Sequence, residues 1–186
     1  DEGAALLLVE MTAGDSRSIV SEMEKLAAYT GEEKNIHEED VRAVAGGRDA
    51  PFMSIYTPSE LEAEGRSKAV ADELIDLMDA LAARHPERFV VARTAAEVRA
   101  AAAAGKLALL YGMENGSPIA GSLANLEHFW RRGVRYITLT HGKDNHLCDS
   151  SYDQTHTHKG LSPFGREVVR RMNELGILID VSHISD

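Results

Sequence analysis

A single cysteine, Cys148, stands in 186 residues, so no internal disulfide can form, and the count does not separate a reducing from an oxidising compartment. Basic residues are in deficit: 20 Lys and Arg face 30 Asp and Glu, which leaves a formal charge of −10 and a pI near 5.3. The densest basic cluster, Arg166 to Arg171, contains Glu167. Nucleic acid and anionic membrane are therefore not expected as partners, because a polyanion needs a concentrated basic patch. Long apolar runs are missing as well. Ala4 to Val9 and Ala100 to Ala104 fall far short of the roughly 20 residues that span a bilayer. Ala4 to Val9 also follows Asp1 and Glu2 rather than the basic flank of a signal peptide. No membrane-spanning segment is expected in this chain. It starts without Met and stops at Asp186, so both ends read as cut.

What is present is the composition of an ordinary globular domain, 44% hydrophobic and 27% charged. From about residue 50, short apolar runs alternate with helix-period segments, the mark of βα units on a parallel sheet. Phe52–Tyr56 reads as a strand. Ser59 with Glu62 reads as a capping box opening a helix to about Arg84, with Val70, Leu74, Leu77, Met78 and Leu81 on one face. Thr94 with Glu97 is a second box, opening an alanine-rich helix that Gly105 stops before the strand Leu107–Tyr111. Ser122 is expected to cap a helix turning Leu123, Leu126 and Trp130 inward, ahead of the strand Val134–Thr140. Ser162-Pro163 opens a helix with Phe164, Val168, Met172 and Leu175 inside, and Ile177–Val181 is the last strand. Four or five strands are legible, counting Ala4–Val9, where a closed barrel has eight.

Glu114, His141 and His183 each follow one of three successive strands at its carboxyl end, where parallel α/β folds gather their chemistry. Singly, each has a bland explanation as a loop carboxylate or a hydrogen-bonded strand-end histidine. Together, one carboxylate and two imidazoles are a nitrogen and oxygen donor set suited to zinc. His156-Thr-His158 has the form of a metal pair but sits in a polar loop, where solvation is the simpler reading. Asn145 and Asp149, in the loop after His141, are candidates for loop packing or for shaping a pocket. Cys148, followed by Asp149, has nothing beside it to lower its pKa and reads as structural. Phe129 and Trp130 read as core.

Four stretches carry a resemblance: Tyr111-Gly-Met-Glu-Asn-Gly, Gly133-Val-Arg-Tyr-Ile-Thr-Leu-Thr-His141, Gly160-Leu-Ser-Pro-Phe-Gly-Arg-Glu-Val-Val, and Met172-Asn-Glu-Leu-Gly-Ile-Leu-Ile-Asp-Val-Ser-His183. The chain closely resembles the membrane (renal) dipeptidase family from Leu107 to Asp186, and more weakly from Gly46-Gly47 through Tyr56. The resemblance implies an α/β fold of the metallo-dependent hydrolase type. It would be a partial TIM-type (β/α)8 barrel, about the N-terminal half to two-thirds, over residues 36–186. Residues 1–35 would form an atypical segment, with a first strand and helix as one option. It implies a zinc-dependent dipeptidase that hydrolyses the peptide bond of dipeptides through a metal-bound hydroxide. Two zinc ions would complete the family site, with Glu114 bridging them, His183 on the second metal, and His141 reaching the substrate as the catalytic contact. A homodimer is left open. So is compartment, since family members are often exported or membrane-anchored.

The sequence departs from the family at one point of weight. The first metal is held there by a His-x-Asp pair, and no His-x-Asp occurs in these residues. His37 with Glu39 is the nearest substitute, and Glu10 or Thr12 would occupy the place if Ala4–Val9 were the first strand. The second histidine of the second metal, a basic residue for the substrate carboxylate and a late aspartate that shuttles the proton would lie beyond Asp186. Hydrolysis is accordingly expected of a longer chain and not of this fragment. Two alternatives stay open: a catalytically silent barrel relative serving as a binding scaffold, and another metal-dependent amidohydrolase acting on a lactone or cyclic amide.

Overall fold

A computed structural model of the chain describes residues 1–11, 23, 26, 35–38, 40, 41 and 50–185. The chain divides into two compact units, Asp1–Asp49 and Ala50–Asp186. In the first, Ala4–Val9 lies within a helix, α1 (Glu2–Met11), and not in a strand. The reason is local. Alanine and leucine favour helix over strand, the Asp1 side chain accepts the Ala4 amide at 2.7 Å, and Glu2 places negative charge in the first turn. Ala4 and Leu8 are buried with Leu26 and Val41. Thr12, Glu39, Gly46 and Gly47 lie outside the described residues.

The second unit is a five-stranded, wholly parallel sheet with helices between its strands, an arc of a β/α barrel. In chain order its elements are β1 (Phe52–Tyr56), α2 (Glu60–Ala63), α3 (Ser67–Arg84), β2 (Phe89–Val91), α4 (Ala95–Ala103), β3 (Leu107–Glu114), a 3-10 turn (Ser117–Ile119), α5 (Leu123–Arg132), β4 (Val134–Thr138), α6 (Pro163–Leu175) and β5 (Leu178–Asp180). The sheet order is β1-β3-β4-β5, and β2 pairs with the first residues of β3. Among the described residues no helix is long and apolar enough to cross a membrane.

Alternation along β3 divides its labour. Leu109, Tyr111 and Met113 join the main core with Ile55, Ile75, Leu126, Phe129, Ile137, Val168 and Met172, where helices cover the sheet. The intervening residues face the other side. There Gly112 is required by close approach, since a Cβ would collide with the Tyr136 ring. Tyr136 in turn stands edge-on to Phe52, with ring centroids 5.0 Å apart. Glu114 is the last residue of this strand.

Three local expectations need correction. Ser59 makes no capping bond, and the segment from Glu60 to Arg84 is two helices, because Gly65 at φ +67° turns the chain between them. Glu62, expected to cap, takes His146 as its partner instead. In α3 the buried positions are Ser67, Ala71 and Ile75, while Leu77 is 59% exposed, so the inward stripe is rotated from the one drawn through Leu77. Ser122 likewise makes no side-chain cap. By contrast Thr94–Glu97 forms its full capping box, and Ser162 accepts the Gly165 amide at 2.8 Å.

Candidate metal centre

Glu114, His141 and His183 converge at the carboxyl ends of β3, β4 and β5. One ligand atom from each lies within 4.8 Å of the others, the sole such cluster of His, Cys, Asp and Glu among the described residues. His141 Nε2 stands 3.3 Å from Glu114 Oε1, and the rings of His141 and His183 are 4.4 Å apart at 53°. Each of the three is half-buried. A tetrahedral zinc with ligands at about 2.1 Å separates neighbouring ligand atoms by roughly 3.4 Å. The Glu114–His141 spacing matches that, and with His183 inside 4.8 Å the donor set has the chemistry and the proximity that a metal needs.

Each side chain is held from behind. Ser54 on β1 donates its hydroxyl to Glu114 Oε2 at 2.6 Å. The backbone beyond Glu114 is fixed by a buried amide clamp. Asn115, at φ +77°, donates to the Thr57 carbonyl at 2.9 Å, and Asn145 donates to Asn115 Oδ1 at 3.1 Å and to the Leu139 carbonyl at 2.8 Å. The chain ends following β1, β3 and β4 are thereby tied together, and every amide of the clamp is partnered. Ser150 Oγ–H donates to the His141 carbonyl at 2.5 Å, while the Ser151 amide donates to the His183 carbonyl at 2.8 Å. One dipeptide thus spans both histidines. His183 itself sits at φ +67°, a left-handed conformation that costs energy and is typical of functional positions.

The electrostatics follow the same convergence. Burial pushes the Asp180 carboxyl up, but hydrogen bonds from Thr138 and Ser182 and the charge of His183 hold it below its ordinary value. Burial, then the negative charges of Glu114 and Asp180, push the Tyr136 phenol up. Two tyrosines flank the imidazoles: Tyr56 lies 5.1 Å from the His141 ring and Tyr152 lies 5.6 Å from the His183 ring. Such a site can hold a cation, polarise a bound carbonyl and present an aromatic wall to what enters.

The other candidates separate cleanly. His156 is exposed, and His158 is occupied with the Asn145 carbonyl at 2.9 Å. Asp149 is fully buried, accepting the His158 and Gly160 amides, and so organises the loop that carries Ser150 and Ser151. Cys148 is buried, and burial with the Asp149 and Asp144 charges pushes its thiol up to about 12, so it is inert. His37 belongs to the first unit, with its ring 3.0 Å from the Asp1 carboxylate. Sequence reasoning missed Ser54, Tyr56, Tyr152 and Asp180. For Ser54 a signal existed, since a polar residue two places before Tyr56 shares the face of Glu114 once the strands pair Tyr56 with Glu114.

The family model of the membrane dipeptidases, peptidase family M19, matches residues 7–186. Among curated proteins, dipeptidase tcpJ of Claviceps purpurea (strain 20.1) is 36% identical over 152 residues, covering 78% of this chain and 36% of its own length. Among solved structures, the probable dipeptidase PvdM from Pseudomonas aeruginosa aligns with a TM-score of 0.68 at 26% identity, over 74% of this chain and 38% of that one. The dipeptidase AC, a metallo peptidase of family M19, aligns at 0.67 and 28%, over 76% and 45%. The chain spans little more than a third of the length of the curated relatives it matches.

Proposed function

Since the chain belongs to the membrane dipeptidase family of metallopeptidases, we propose that it supplies one side of a zinc site that hydrolyses dipeptides, with Glu114 and His183 as metal ligands and His141 contacting the substrate. The observation that carries this reading is the convergence of the three ligand atoms within 4.8 Å at successive strand ends. In the complete site two zinc ions would act as Lewis acids on the scissile carbonyl and activate water at neutral pH.

The residues of this chain then have separable tasks. Ser54 fixes the Glu114 carboxylate and leaves Oε1 toward His141. Ser150 and Ser151 hold the backbone from which both imidazoles project. His141, as a hydrogen-bond donor, stabilises charge developing on the carbonyl oxygen. Tyr56 and Tyr152 flank the imidazoles and narrow the approach.

A second reading concerns His141 alone. Its 3.3 Å spacing from Glu114 Oε1 is also that of two ligands on one ion, which favours His141 as a third metal ligand. For the site as a whole, zinc content and dipeptide hydrolysis are measured on the intact protein and on Glu114→Gln. Loss of bound zinc together with a fall in kcat/KM of at least about 1,000-fold is expected when a metal-ligand carboxylate is neutralised. A wild-type protein without zinc, or unchanged hydrolysis in Glu114→Gln, would remove the proposal.

A further inference from the structure

His183 does not lie on its strand: β5 ends at Asp180, and Val181 and Ser182 intervene. Register decides which side each residue of β5 takes. Ile179 pairs with Ile137 and packs against the main core, whereas Asp180 pairs with Thr138 on the opposite face, which is the face of Glu114. Strand side chains alternate, so continued β-structure would send residue 183, three places after Asp180, to the helix-covered side and away from Glu114. The chain therefore has to turn between Asp180 and His183 for the imidazole to reach the metal centre.

The turn is built on one carboxylate. Asp180 Oδ1 accepts the Ser182 amide at 2.9 Å and the Ser182 hydroxyl at 2.7 Å, closing an Asx turn across Val181. Asp180 Oδ2 accepts the Thr138 hydroxyl at 2.6 Å, and Thr138 is buried at the end of β4. Asp180 thus closes the turn and anchors it to the neighbouring strand. Burial does not hold it, since Val181 at its centre is 60% exposed. Downstream, Ile184 bridges to Ser150, and the Ser185 amide donates to the Asp149 carbonyl at 3.1 Å. His183, at φ +67°, is the left-handed joint between these two anchored points, a conformation that a residue with a Cβ adopts only where its surroundings impose it. Glu114 has its carboxylate gripped directly by Ser54. The bonds that support His183 fall on its backbone and on the turn before it.

We propose that Asp180 is a positioning residue of the metal centre: its carboxylate sets the turn that brings His183 to the side of Glu114. It acts through His183 and is not itself one of the donors that converge within 4.8 Å. The assignment rests on the reading of His183 as a metal ligand given above.

The test is a double-mutant cycle on zinc affinity, measured on the intact protein by competition with a chromophoric chelator. Asp180→Ala should weaken zinc by about 10- to 100-fold, as loss of an outer-sphere partner does. Asp180→Asn, whose amide oxygen still accepts from Ser182, should stay within about fivefold of the wild type. In a His183→Ala background, Asp180→Ala should add less than about threefold, because the residue it places is gone. Thermal unfolding verifies that each variant is folded, and Asp72→Asn, in the helix layer, serves as a destabilised control that keeps its zinc. Should Asp180→Ala not fold, Thr138→Val, which removes the anchor alone, takes its place in the cycle with a loss of at least about threefold. Unchanged zinc affinity, equal losses in both backgrounds, or an Asp180→Asn as weak as Asp180→Ala would overturn the assignment, the last by showing that charge and not the turn is responsible. Zinc binding that obeys the cycle without dipeptide hydrolysis would refute the dipeptidase reading and leave the role of Asp180 standing. Hydrolysis and zinc affinity both intact in Asp180→Ala would refute the role of Asp180 alone.

Discussion

Two carboxylate–imidazole pairs sit on opposite sides of the same sheet and behave differently. In the helix layer, Asp72 meets His128 at 2.7 Å and also receives Lys68 at 2.7 Å and Arg132 at 2.9 Å. At the strand ends, Glu114 meets His141 at the looser distance of 3.3 Å. The tighter contact belongs to the pair that is saturated by cations. In the looser one, a third donor, His183, converges, and no Lys or Arg among the described residues is paired with Glu114. Contact length alone is thus a poor guide to function; unfilled, convergent donors are the better one.

The largest expected effects probe the strand-end pair and divide its two histidines. His183→Ala in the intact protein should lower zinc affinity by more than about 100-fold, above the 10–100-fold typical of a lost outer-sphere partner. His141→Ala should keep the zinc and lower kcat by about 100- to 1,000-fold, as loss of an oxyanion donor does. Zinc stoichiometry by atomic absorption, beside kcat and KM, separates the two. If His141→Ala loses its zinc to the same extent as His183→Ala, His141 is a ligand and the third-ligand reading replaces the substrate-contact one.

A smaller effect is expected from the helix-layer pair, and it should appear in stability only. Asp72→Asn removes the negative charge that Lys68, His128 and Arg132 share and one of its two acceptor oxygens, at a side chain 22% exposed, which should cost about 1–3 kcal/mol by urea unfolding. Burial raises the Asp72 carboxyl, but the bonds and charges of Lys68 and His128 outweigh it and hold the group below 3.8. Its stabilisation is therefore complete above that value and is lost as pH falls below it, so the acid limb of wild-type stability should be shallower in Asp72→Asn. Zinc content should not change. A variant that loses zinc as readily as His183→Ala would erase the contrast between the two regions.

The same contrast explains what the sequence made legible. Strands with β-branched or apolar runs, such as Phe52–Tyr56 and the one opening at Val134, were readable because burial imposes a pattern, and so were the three residues at their ends. β2 escaped because Phe89–Val91 is only three residues long and pairs at the edge of β3. Ala4–Val9 was ambiguous because a short apolar run suits a strand or a buried helix equally, and only the Asp1 cap and the packing of Leu8 decide it. Ser59 and Glu62 matched a capping box by spacing. Glu62 went elsewhere because His146, 84 positions away, competes for the same oxygen. Such long-range competition has no local signature.

The smallest effect lies in the loop between the two pairs and is a matter of pH. Cys148 has an ordinary value near 9.0, and burial, followed by the charges of Asp149 and Asp144, pushes it up to about 12. Below pH 9 the thiol is neutral whether the chain is folded or unfolded, so it contributes no pH dependence. Between 9 and 12 the unfolded chain releases its proton while the folded one retains it. The unfolded state then binds fewer protons, and stability must fall as pH rises. Urea midpoints measured from pH 8 to 10.5 should decline more steeply in the wild type than in Cys148→Ala, even though the variant starts lower because of the cavity it leaves. Equal slopes would mean that the thiol ionises as freely in the folded loop as in the unfolded chain. The packing of Asp149 and Cys148 that carries Ser150 and Ser151 to the two histidines would then be looser than the geometry indicates.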